Sequence, residues 1–419
     1  MNSQRSPLKP LDVALIALLD AAKVLPEIEV VSTFEADGRV LASDIVSALQ
    51  VPALDNSSMD GYAVRSADVA RALEASDGVL AVSQRIAAGS TGIALEPMSV
   101  ARIFTGAPIP SGADAVVMQE DCEVIPADDA TLKVRVRIVN VPEPGQWIRR
   151  AGEDVTIGAV VLSKGIRLSP AAVGLAASIG MHELPVARRP RVALFSTGDE
   201  LVMPGDVAPT QMKTGTIYNS NRYFLRALLM RLGCEVTDLG IVPDRLDATI
   251  DALRGATQNH DLILTSGGVS VGEEDHIKPA VQALGTLDLW QIAIKPGKPF
   301  AYGQLQDAHF IGLPGNPVSS FVTFLLLVRP FLLKLQGVTD VGVRSISMRA
   351  NFAWPKGDKR REFMRVKRSI NGGLDLYASQ SSGVLTSAVW GDGLVDNPPG
   401  QTIAPGDTVR FIPFSEVLG

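Results

Sequence analysis

The sequence predicts an α/β core wound around a parallel sheet, carried between a β-rich lobe and a small C-terminal β-barrel or sandwich. Three observations predict it. After Arg188-Arg189-Pro190, apolar strand-like runs alternate with helical periodicity to about residue 336. Between Glu27 and about Pro144 the pattern is short alternating runs broken by Gly and Pro. From about Gly337 short strands return, with turn residues at Asn371-Gly372-Gly373 and Pro405-Gly406-Asp407.

Leu11, Leu15, Leu18, Leu19 and Ala22 recur at helical spacing, so an amphipathic helix opens the chain, stops before Pro26 and must pack on another part of it. In the lobe, residues 79–82 and 132–136 alternate as strands do. Ser169-Pro170 supplies an N-cap and a first helical residue for an Ala-rich helix over 171–180. In the core, strands are expected at 192–195, 236–242, 262–265, near 287–294 and at 310–313. Helices are expected at 221–232, 246–256, near 277–284 and from Val318. The most apolar run, 321–333, is broken by Arg329-Pro330 and falls short of the ~20 residues a membrane span needs, so it reads as a buried helix.

With 419 residues, 46% apolar and 20% charged, the chain has material for several cores. A formal net charge of −6 argues against a general nucleic-acid binder. Cys122 and Cys234 have no CxxC spacing, and the four histidines are scattered. Any metal site is therefore built from oxygen ligands, which favours Mg²⁺. The polar start, residues 1–10, lacks an apolar signal core, and the cytoplasm is the expected compartment.

The chemistry is concentrated in loops after strands. Residues 265–275 leave a buried strand with Gly267, Gly268 and Ser270 and end in Glu273-Glu274-Asp275. Glycines let backbone N–H groups approach an oxyanion, and the following carboxylates can hold a hard cation against it. That pairing suits a phosphorylated substrate with Mg²⁺. Glu200 and Asp244 also follow strands, so Glu200, Asp244 and Asp275 can converge on one crevice, although each alone serves equally well as a helix cap.

Lys295 and Lys298 lie three residues apart in a turn stiffened by Pro296 and Pro299, which presents cations to an oxyanion. Pro314, Gly315 and Asn316 lead into a helix start carrying Ser319 and Ser320. Alternation over Arg361, Phe363, Arg365 and Lys367 would put three cations on one face of a strand; a charge-protected edge strand reads the same way. Ser381 sits in a hydroxyl-rich loop. In the lobe, Asp60 precedes a strand and Thr105 belongs to Phe104-Thr105-Gly106-Ala107-Pro108. No Ser-His or Cys-His nucleophile pair is evident.

Taken in order, SSMDGYAV, FTGAPIP, RRAGED, STGDEL, YNSNR, GGVSVGEED, KPGKP, LPGNPVSS, REFMRV and SQSSGVLTS resemble the molybdopterin molybdenumtransferase family, bacterial MoeA type and gephyrin E domain, over nearly the whole chain. The resemblance implies a linking domain (1–26 and 145–187), a β-rich dimerisation lobe (27–144), a core similar to molybdopterin adenylyltransferase (188–336) and a C-terminal β-barrel (337–419). It implies insertion of molybdate into adenylylated molybdopterin with release of AMP, assisted by Mg²⁺. Glu200, Asp244 and Asp275 would organise cation and phosphate. Lys295, Lys298, Ser319 or Ser320, Arg361 or Arg365, and Ser381 would form the molybdate pocket. Asp60 and Thr105 would reach the other subunit's core, making the site the property of a homodimer; molybdopterin adenylyltransferase and apo-molybdoenzymes are the implied partners. Two alternatives are adenylyl transfer to molybdopterin itself and a gephyrin-like peptide-binding scaffold.

Overall fold

The strand Arg191–Thr197 buries side chains on both faces: Val192 and Leu194 belong to one apolar cluster, Ala193 and Phe195 to another. A strand covered on both sides must lie inside a sheet flanked by helices. The computed structural model, which describes residues 8–127, 134–269 and 276–418, shows that sheet. Its six strands run in the order Glu235–Val242, Arg191–Thr197, Leu262–Ser266, Ala308–Leu313, Pro299–Leu305, Thr286–Gln291. The first four and Thr286–Gln291 run in one direction and Pro299–Leu305 runs against them, so the sheet is mixed rather than purely parallel. The cause is local: only Gln306-Asp307 separates Pro299–Leu305 from Ala308–Leu313, a link that closes a hairpin but no crossover.

Helices Ser220–Arg231 and Pro317–Thr323 pack on one face, Leu246–Ala256 and Ile277–Leu284 on the other. Arg329-Pro330 does not break the apolar helix, which continues from Pro317 to Leu335 through a π-turn at Phe324–Val328. A widened turn shifts the hydrogen-bond ladder around a residue that lacks an N–H. The helix has the length and apolarity of a membrane span, yet 83% of its most apolar window is buried inside the fold, as in a core helix.

The opening helix, Leu11–Ala21, buries Leu11, Ala14 and Leu18 in the core cluster. The residues that share a core with 155–186 are instead Ala36, Leu41 and Ile45, and Ile28–Ser32 pairs antiparallel with Glu183–Ala187. The strand that pairs with the end of the 145–187 segment thus begins at residue 28. In the lobe, a six-stranded sheet carries a helix, Ser66–Ser76, that buries Val69 and Ala72 and that alternation alone did not reveal.

In the C-terminal region the strands run Ile294–Lys295, Arg361–Arg368, Gly393–Asn397, Thr408–Pro413, Ile346–Arg349, with Leu374–Leu376 beside Arg361–Arg368. A bridge from Ala350 to Leu374 joins the last strand of that order to the hairpin. Since Ile294–Lys295 belongs to the core in sequence, its pairing with Arg361–Glu362 fixes the C-terminal region against the core.

Candidate functional site

A cleft of about 730 Å³ opens where the central strands Arg191–Thr197, Leu262–Ser266 and Ala308–Leu313 end. Carboxyl ends of parallel strands are where ligands sit in such sheets. Gly267 and Gly268 form one wall with φ of +96° and +64°. A Cβ on Gly267 would stand 2.8 Å from the Thr197 carbonyl oxygen, and one on Gly268 2.5 Å from Ile277 Cγ1. Both positions thus require glycine for conformation and for room.

Pro314, Gly315, Asn316 and Ser319 line the opposite wall. Asn221 ties the two walls together, because its Nδ2 donates to Ser266 Oγ and to the Gly315 carbonyl, each at 2.7 Å. Asn219 Oδ1 accepts from the Arg222 N–H at 3.2 Å, capping the helix Ser220–Arg231. These asparagines, with Thr197 and Tyr218, line the cleft; they fall within STGDEL and YNSNR, where the sequence assigns them no role. The usable signal was an Asn directly ahead of a helical run, in YNSNR.

Glu200 and Asp244 both line the cleft. Glu200 folds back so that a Cβ on Gly198 would meet its Oε2 at 2.5 Å. Asp275 and Ser270 lie outside the described residues. Among the described residues no three His, Cys, Asp or Glu side chains gather into a metal-binding group. Two carboxylates lining a cleft of this size nevertheless fit Mg²⁺, which is commonly held by one or two carboxylates plus substrate phosphates.

The basic residues are less uniform than their spacing suggested. Lys295 Nζ is paired with Glu362 Oε1 at 3.1 Å and Asp358 Oδ2 at 3.5 Å, so it faces carboxylates at the junction of core and C-terminal region. Lys298 is half-buried beside Pro299, which lines the cleft. Arg361 does not face an open anion site: it makes a two-pronged pair with Asp396, at 2.6 and 2.7 Å, and reaches Asp12 at 3.0 Å. Its guanidinium is held well above the ordinary range, chiefly by the Asp396 hydrogen bonds.

Arg365 is 1% exposed, and among the described residues its guanidinium donates to neutral oxygens, those of Ser387, Phe363, Ser379 and Ser381. Burial lowers its pKa to about 10. Lys367 is exposed near the Trp390 ring. The three cations expected on one face are therefore in three different environments, because both faces of the strand up to Val366 are covered.

Ser319 faces the cleft, whereas Ser320 is fully buried with its hydroxyl unpaired. Ser381 is exposed, and the neighbouring Ser382 carbonyl accepts from the Val318 N–H at 2.9 Å, which brings Gly383 into the cleft wall. Asp60 and Thr105 sit in the lobe and do not line this chain's cleft. Asp60 Oδ1 accepts from the Thr105 N–H at 2.8 Å and from its hydroxyl at 2.7 Å. Those two hydrogen bonds, the backbone one first, hold the Asp60 carboxyl below its ordinary pKa.

The family model of the MoeA N-terminal region (domain I and II) matches residues 9–180, that of a probable molybdopterin binding domain residues 193–334, and that of the MoeA C-terminal region (domain IV) residues 347–414. A molybdopterin molybdenumtransferase from Haemophilus influenzae is 40% identical over 416 residues, covering 98% of this chain and 99% of the relative. The chain belongs to the MoeA family. Another MoeA relative, molybdopterin molybdenumtransferase 2 from Mycobacterium tuberculosis, is 36% identical over 87% of this chain and 89% of its own length. The MoeA fold extends to a solved molybdopterin biosynthesis protein from Pyrococcus horikoshii OT3, with a TM-score of 0.82 and 29% identity over 97% of this chain and 100% of that one.

Proposed function

We propose that this MoeA-family chain is a molybdopterin molybdenumtransferase, acting in molybdenum cofactor biosynthesis: it takes adenylylated molybdopterin and molybdate as substrates, places the metal in the dithiolene and releases AMP. The observation that carries the reading is the cleft that sets the Gly267-Gly268 turn against Glu200 and Asp244. Backbone N–H groups of such a turn suit phosphate oxygens, and the two acids would hold Mg²⁺ against them. When bound, Mg²⁺ screens the charge of the phosphoanhydride. Asn221 keeps the two walls in register, and Ser319 offers a hydroxyl to the oxyanion. Asp275 is assigned with Glu200 and Asp244 as a cation ligand, and Ser270 with the glycines.

Lys298, Ser319, Arg365 and Ser381 are read as surrounding molybdate, with Lys295 joining once its carboxylate partners yield. The same reading makes the lobe a dimerisation element whose Asp60 and Thr105 complete the partner's cleft, and treats the C-terminal sheet as a barrel closed at Ala350 and Leu374. It places the homodimer in the cytoplasm, between an adenylyltransferase that supplies the substrate and apo-molybdoenzymes that take the product. The test is direct. Purified protein with adenylylated molybdopterin, Mg²⁺ and molybdate should yield AMP and a cofactor that reconstitutes an apo-molybdoenzyme; omission of the protein should abolish both.

A further inference from the structure

The lobe holds a charged arrangement that the cleft does not use. The guanidinium carbon of Arg85 stands 4.5 Å from the Phe104 ring centroid, and that of Arg102 stands 4.6 Å from the same centroid. Arg102 also donates to neutral acceptors, the Gly61 carbonyl at 2.9 Å and Gln119 Oε1 at 2.6 Å. Arg85 is exposed, and its guanidinium makes no hydrogen bond among the described residues. Neither guanidinium forms an ion pair within the described residues, although Arg102 acts on Asp60 through space. Phe104 directly precedes Thr105, whose N–H and hydroxyl hold Asp60. One ring thus orients two cations beside the lobe's only pair of residues assigned to the reaction.

A ring can hold a guanidinium by its quadrupole, but two like charges on one ring repel, and neither is ion-paired with a carboxylate among the described residues. An anion would supply a counter-charge to both. We infer that Arg85, Phe104 and Arg102 form an anion-docking platform that receives the phosphoanhydride of adenylylated molybdopterin as it enters the cleft of the partner subunit. The inference rests on the proposed transfer reaction and its shared dimeric site. Arg85 is a positioning residue in this scheme: it steers and holds the polyanion, and no bond is made or broken at it. Steering by exposed charge weakens with salt, because interactions are screened over about 8 Å at physiological ionic strength.

The experiment compares wild type with Arg85→Glu and Arg85→Lys in the AMP-release assay, across ionic strengths, with melting temperature and dimer mass as folding controls. Arg85→Glu should raise KM for adenylylated molybdopterin about tenfold at low salt, leave kcat nearly unchanged and flatten the fall of kcat/KM with salt. Arg85→Lys should restore most of the loss, since it keeps the cation. If Arg85→Glu fails to dimerise, Arg85→Gln replaces it with a smaller shift expected. Unchanged KM and salt slope in a folded variant would overturn the platform. A shift confined to KM for molybdate would overturn the phosphoanhydride assignment. Failure of wild type to release AMP would count against the transferase reading itself, and pyrophosphate binding by calorimetry, stronger in wild type than in Arg85→Glu, would then still decide the platform.

Discussion

The Arg365 guanidinium donates to the Ser381 carbonyl at 3.1 Å from a position almost closed to water. Through that bond a strand of the C-terminal region holds the loop that contributes Gly383 to the cleft. Burial lowers its pKa to about 10, which leaves it charged at neutral pH, and its donors are spread over Ser387, Phe363, Ser379 and Ser381. A lysine carries the charge as a point and cannot span those acceptors. Arg365→Lys should therefore cost roughly 1–3 kcal/mol in urea unfolding, from carbonyls left unpaired. It should also depress kcat/KM for molybdate well beyond what lost stability explains.

Arg361 should behave in the opposite way. Its two-pronged partner Asp396 is 1% exposed, and Arg410, at 3.3 Å, is the other cation paired with that carboxylate. Removing Arg361 leaves the buried Asp396 with the half-exposed Arg410 as its remaining cation, so Arg361→Ala should lose about 2–3 kcal/mol of stability. Activity measured per folded molecule should change little. A large fall in kcat without destabilisation would return Arg361 to the anion site.

Asp60 sets a pH expectation. Its carboxyl is held below the ordinary value by the Thr105 N–H and hydroxyl. A depressed folded pKa means that the contribution is present above the unfolded value of about 4 and lost as pH falls through the lower folded one. Thr105→Val keeps the backbone donor and removes the hydroxyl. The Asp60 titration midpoint, followed by carboxyl carbon NMR, should rise toward the ordinary value without reaching it.

What the sequence disclosed was whatever the chain settles within a few residues. Gly267, Gly268, Glu200 and Asp244 each follow a strand directly, so their positions at its carboxyl end could be read from apolar runs alone. Pairing between distant charges was hidden. Arg361 and Arg365 look alike in REFMRV, yet one meets Asp396 and Asp12, 35 and 349 residues away, and the other donates to carbonyls and a hydroxyl. Lys295 was likewise indistinguishable from a free cation until Glu362 was brought beside it by strand pairing. The strand Pro299–Leu305 was hidden because its first residue doubles as the end of a proline-rich turn.

The cation role of Glu200 and Asp244 is open to a test that separates it from cleft shape. Glu200→Gln keeps the volume that folds back over Gly198 and removes only the charge. With one carboxylate fewer, Mg²⁺ should half-saturate AMP release at a concentration about tenfold higher, and Asp244→Asn should do the same. Gly268→Ala provides the contrast, because its Cβ would press on Ile277 and Thr197 at a φ of +64°. That strain distorts the turn without touching either acid, so substrate KM should rise while the Mg²⁺ midpoint stays near wild type. Superimposable Mg²⁺ curves for wild type and Glu200→Gln would mean that this acid holds no cation, whatever its place in the cleft.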